Sequence, residues 1–85
     1  MPERKVMVGS QVGLHARPAA TFVQAAVKVP IDVTIAKPGG RPANAKSILS
    51  VLALDVRQGE TIVISAEGDG ADDVLDRLAA IVASP

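Results

Sequence analysis

Only one histidine occurs among the 85 residues, His15, and it sits in the run Gly13-Leu14-His15-Ala16-Arg17-Pro18-Ala19-Ala20. Pro18 fits the first turn of a helix, where its missing N–H costs nothing and its fixed φ is already helical. An apolar pattern at helical spacing follows through Ala19, Phe22, Val23, Ala26 and Val27. His15 is therefore expected at or just before a helix N-terminus, where unpaired first-turn N–H groups and the helix dipole favour an anion. Arg17 adds a positive charge whose planar fork of donors matches phosphate oxygens. A nucleophile beside an anion site suits a side chain that accepts and releases a phosphoryl group.

The chemistry calls for an imidazole. Free histidine titrates near pH ~6.5, so it can be neutral, and hence nucleophilic, close to pH 7. A helix N-terminus and a nearby arginine both disfavour the imidazolium, which predicts a lowered pKa for His15. The same two features stabilise the charge of the added phosphoryl group. A phosphorus–nitrogen bond is reactive enough to hand the group on, whereas a serine ester would be too inert for a rapid relay. His15 and Arg17 are thus the candidate reacting pair, and Ala16, Arg17 and Pro18 the candidate phosphate-binding turn. Gly13 is read as serving the backbone, by permitting a turn that other residues resist.

The elements that must position these residues follow from periodicity. Arg4 to Gly9 alternates, with Val6 and Val8 on one face, and reads as a strand. Ser10 to Leu14 is a loop, and the first helix runs to about Lys28, with Pro30 closing it. Ile31 to Lys37 alternates again, with Ile31, Val33 and Ile35 inward. Pro38-Gly39-Gly40 marks a tight hairpin turn, and the returning stretch Arg41 to Asn44 carries Pro42, which belongs on a sheet edge. Ser47 can N-cap a short helix bearing Ile48, Leu49, Val51 and Leu52. Of these, Ile48 and Leu49 are expected to be exposed. Gln58-Gly59 turns into a strand from Glu60 to Ala66. The last helix starts at Asp69 or Gly70, with Asp72 and Asp73 in its first turn and Ala71, Val74, Leu75, Leu78 and Val82 on one face, Ile81 beside them. The order is β-α-β-β-α-β-α. Half-alternating strands with amphipathic helices suggest an α/β (α+β) domain whose sheet is covered on one face only, an open-faced sandwich.

Three segments in this order also resemble one family. Gly13-Leu14-His15-Ala16-Arg17-Pro18-Ala19 resembles the active-site signature of HPr, the histidine-containing phosphocarrier family of the bacterial phosphoenolpyruvate-dependent sugar phosphotransferase system. Ala45-Lys46-Ser47-Ile48-Leu49-Ser50-Val51-Leu52 resembles its regulatory-serine helix, and Gln58 to Gly68 its last strand and following turn. The resemblance implies a four-stranded antiparallel sheet with three helices on one side. It implies that enzyme I phosphorylates His15, on Nδ1, at the expense of phosphoenolpyruvate, and that a sugar-specific IIA protein or domain receives the group. The carrier is then a reactant used and regenerated, not an enzyme, and no cofactor is required. Partners are implied to grip the start of the first helix and the short second helix, here Ala20, Ile48, Leu49 and Leu52.

For Ser47 the resemblance implies a second role beside the cap, phosphorylation by a serine kinase. The added charge would repel an acidic docking face, and transcriptional regulators are further partners of such a form. Lys46 is expected to steady that phosphate or to be solvated. Gln24 and Val27 stand where many members carry docking lysines, leaving Lys28 nearby, and the hairpin is one residue longer than the usual pattern. The alternatives are a paralogous carrier in a nitrogen-regulatory or dihydroxyacetone-kinase relay, or a regulatory binding module acting through Ser47. Modules of that last kind tend to lose the histidine, which is kept here. A self-sufficient histidine-nucleophile enzyme ranks last, because it needs a general acid and an enclosed pocket.

Composition bounds the same answer. The length suits a single domain spanning residues 1–85. One Phe, no Trp and no Tyr predict a core of Val, Ile, Leu and Ala. Nine basic residues balance nine acidic ones, with no basic run or aromatic platform, which argues against nucleic acid as a partner. No cysteine and one histidine exclude disulfides and the usual zinc sites. No apolar stretch would insert in a membrane or serve as a signal-peptide core. A monomeric cytoplasmic protein is the expectation.

Overall fold

The computed structural model describes residues 2–9, 13–14 and 16–84. Its elements run β1 (Glu3–Met7), α1 (Ala16–Val27), β2 (Asp32–Ala36), β3 (Ala43–Asn44), α2 (Ile48–Ala53), β4 (Thr61–Glu67) and α3 (Ala71–Ala83). The order β-α-β-β-α-β-α is as expected from periodicity. The strands form one antiparallel sheet in the order β1-β4-β2-β3. β1 and β2 flank β4, with Glu3 opposite Ser65 and Ile35 opposite Ile64.

One face of this sheet is apolar. Val33 and Ile35 of β2 and Ile62, Ile64 and Ala66 of β4 are buried, while Thr34, Val63 and Ser65 between them remain partly exposed on the other side. A period of two places the apolar set on one face. The helices cover that face: α1 contributes Ala19, Phe22, Val23 and Ala26, α2 Val51, and α3 Ala71, Leu75, Leu78 and Val82. Phe22 is fully buried in a core otherwise built from aliphatic side chains. Arg4 also reaches from β1 to α3 and pairs with Asp72 at 3.2 Å and Asp76 at 3.1 Å.

Differences from expectation are local. Val27 is 56% exposed rather than part of the apolar face. It ends α1 and is rotated past Val23 to the margin of the buried stripe, which is centred near Ala19, Phe22 and Ala26. β3 is only two residues long, because Pro42 has no N–H to extend the ladder. β1 starts one residue earlier than its alternation suggested and ends at Met7. Val8 leaves the ladder yet stays buried, donating its N–H to the Glu60 carbonyl. Gly70 caps α3 with φ 80° and no side-chain bond, which settles the choice between Asp69 and Gly70.

Candidate functional site

The N-terminal entry to α1 is held by the loop that follows α2. Leu14 is buried and donates its N–H to the Val56 carbonyl at 2.9 Å, and Val56 is itself fully buried. Gly13 has φ 72°, and a Cβ there would overlap the Val56 carbonyl oxygen and lie 2.8 Å from Arg57 Cα. The glycine is therefore required twice, by its positive φ and by the close approach of a neighbouring backbone. His15 lies outside the described residues, as do Ser10, Gln11 and Val12 of the loop expected before it. In sequence His15 joins the pinned Leu14 to Ala16, the first residue of α1.

Ala16, Arg17 and Pro18 form the first turn of that helix, and no acidic side chain sits among them. The first-turn N–H groups of Ala16 and Arg17 carry the positive end of a 12-residue helix. Pro18 has no N–H to donate, so its part in an anion site is to fix the turn. Arg17 is exposed, and its carbonyl accepts from Thr21 Oγ1 at 3.2 Å, which braces the turn below the guanidinium. Among the described residues no cluster of His, Cys, Asp or Glu could hold a metal, and no helix is long and apolar enough to cross a membrane.

Ser47 stands at the other end of α2. Its φ and ψ are extended (−111°, 115°), and its Oγ accepts the Ser50 N–H at 3.3 Å, so the expected N-cap is present. α2 then runs six residues, ~9 Å, before the chain reaches Val56 against Leu14. Ser47 is thus set one short helix away from the entry to α1. Ser47→Ala should lower stability by about 1 kcal/mol, read as a drop in the urea midpoint, while Ser47→Asn should restore most of it. Lys46 is not simply solvated: its ammonium donates to the Val29 carbonyl at 2.8 Å, just past the C-terminus of α1. A cation there also meets the negative end of the helix.

Leu49 is 78% exposed and Ile48 37%, the two side chains directly after the cap, whereas Val51 is buried. Ala20 and Leu52 are half-buried, and Leu52 packs against the core. The sequence did not reveal the Val56–Arg57 buttress or the Lys46 contact, because both pair residues far apart in the chain. Gly13 was the one local sign that something must approach closely.

Comparison with known proteins agrees in extent and order. Residues 2–84 match the family model described as the PTS HPr component phosphorylation site. The chain is 52% identical over 83 residues to the phosphocarrier protein HPr of Streptomyces coelicolor, covering 98% of this chain and 89% of the relative. It superposes on the crystal structure of a phosphocarrier protein HPr from Bacillus anthracis with a TM-score of 0.89 and 42% identity, over 95% of both chains. A further similar structure is Crh of Bacillus subtilis, a catabolite-repression protein crystallised as a swapped dimer (TM-score 0.75, 41% identity, 96% of this chain and 93% of that one).

Proposed function

The chain belongs to the HPr phosphocarrier family, and we propose that it relays a phosphoryl group from enzyme I to sugar-specific IIA proteins or domains through His15. What supports this reading is the way the segment around His15 is held. Leu14 is fixed to Val56 on one side, and on the other α1 opens with donors, an arginine and no carboxylate.

In the transfer, the lone pair of His15 Nδ1 attacks phosphorus. The P–N bond to His15 forms as the bond from phosphorus to the donor's leaving atom breaks, its electron pair staying with the donor. Arg17 and the N–H groups of Ala16 and Arg17 hold the phosphoryl oxygens, with Pro18 fixing the turn. The second transfer runs the same step with His15 as leaving group and a histidine of the IIA component as nucleophile. The protein is consumed and regenerated, so it is a reactant and not an enzyme. On this reading it acts as a monomer in the cytoplasm.

Ala20, Ile48, Leu49 and Leu52 form the docking surface, with exposed Leu49 and Ile48 as its apolar centre. A phosphate on Ser47 would stand beside them with roughly two negative charges, and it would serve a serine kinase as an off-signal for partners with acidic faces. The similarity to Crh favours a second reading, a regulatory module working through Ser47.

Intact mass after incubation with phosphoenolpyruvate and enzyme I separates the two. One acid-labile phosphoryl group on the native chain and none on His15→Ala is the expected result. A native chain left unmodified by an active, cognate enzyme I would remove the relay reading and move the Ser47 reading forward.

A further inference from the structure

We propose that Arg57 is a second phosphate-holding cation of the relay, parked on Asp55 until His15 is phosphorylated; this rests on the reading of His15 as the acceptor. The observations concern how Arg57 is rooted and how loosely its tip is held. Its backbone is fixed on both sides. The Arg57 N–H donates to Glu60 Oε1 at 2.9 Å, and its carbonyl accepts from the Glu60 N–H at 3.1 Å. That first bond, with help from Lys37, holds the Glu60 carboxyl below the usual carboxylate range.

The rooted backbone lies against Gly13, close enough that the Arg57 Cα would crowd a side chain there. His15 follows Gly13 by two residues, which span at most about 7 Å of chain. Arg57 is thus rooted beside the chain just before the acceptor, and Arg17 on the helix that follows it.

The guanidinium itself has one described partner. It meets Asp55 Oδ2 at 3.3 Å, and both side chains are well exposed, at 73% and 57%. Asp55 adopts a left-handed φ of 51° to make the turn after α2, and its carbonyl is occupied by Lys37 Nζ at 3.3 Å. An exposed single-contact pair is weak and exchanges readily. A phosphoryl group brings more charge than one carboxylate and three acceptor oxygens, and a guanidinium can bind it with two parallel donors. Asp55 thus acts as a placeholder that keeps the cation close and neutralised in the free carrier. Phosphorylation of His15 draws Arg57 across, which steadies the phosphoryl group until a partner competes for it.

The test uses the full chain phosphorylated with phosphoenolpyruvate and enzyme I, with native protein, Arg57→Gln, Arg57→Lys and Asp55→Asn compared by NMR. In the native chain the Arg57 Nε resonance should move on phosphorylation. Loss of the 31P signal should be about two- to threefold faster in Arg57→Gln, intermediate in Arg57→Lys, and slower than native in Asp55→Asn. Opposite signs for the two partners are not expected of residues that merely support the fold. A native phosphohistidine with an unmoved Arg57 resonance, or with equal lifetimes in native and Arg57→Gln, overturns this inference alone. A native chain that takes up no phosphoryl group overturns the relay reading and this one together.

Discussion

Gly13→Ala is expected to destabilise the protein by about 2–5 kcal/mol and to remove most of its capacity to accept a phosphoryl group. Two costs add at this position. An alanine held at φ 72° loses about 1–2 kcal/mol to its own backbone. Its Cβ must also displace the Val56 carbonyl and the Arg57 backbone, which cannot yield as a side-chain tip would. That second cost is what pushes Leu14 off Val56 and lets the entry to α1 shift. Gly39→Ala provides the comparison, because Gly39 has φ 74° but nothing within 4 Å of a new Cβ. It should lose only the backbone part, about 1–2 kcal/mol, and keep native phosphorylation. Urea unfolding of the two variants, together with their rates of phosphoryl uptake, checks both halves. Equal losses in the two would mean that the Val56–Arg57 contact matters little.

Phe22→Ala should cost about 3–5 kcal/mol. Phe22 is fully buried on α1, and the surrounding core is aliphatic. No second ring is present to slide into the gap. Stabilities of about 0.05–0.15 kcal/mol per residue are usual, so a loss of this size takes a large share of what a chain of 85 residues has. Melting should fall by about 4–8 °C per kcal/mol, read by calorimetry or circular dichroism. Phe22→Leu should lose less than half as much. Because Phe22 packs the helix whose first turn carries Arg17, phosphoryl uptake should also become temperature-sensitive in Phe22→Ala.

Much of the architecture was legible because its signals are local. Alternation at Val33 and Ile35, helical spacing at Leu75, Leu78 and Val82, and the Pro38-Gly39-Gly40 turn each depend on neighbours in the chain. Ser47 as a cap was equally readable, since the cap and its Ser50 partner are three residues apart. Val27 misled, because a hydropathy pattern cannot tell the centre of a stripe from its margin at the end of a helix. The site divides in the same way. The order His15, Arg17, Pro18 announced a helix entry with an anion preference, and α1 does begin at Ala16. What braces that entry could not be read, because Leu14 meets Val56 only after folding, and the same holds for the contact of Lys46 with Val29 at the far end of α1.

The pairing of β1 with β4 and of Leu14 with Val56 has a consequence for how the molecule is made. Such contacts raise the relative contact order, which slows closure compared with a purely helical chain. At about 5–20 residues per second of synthesis, the first strand and the histidine segment emerge and wait several seconds before Val56 and β4 exist to receive them. During that interval the nascent chain displays His15 without the loop that braces Leu14 beside it. Phosphoryl acceptance should therefore switch on with completion of the sheet rather than with the appearance of the histidine. Incomplete translation products would carry the motif and, on the proposed function, draw no phosphate from the relay.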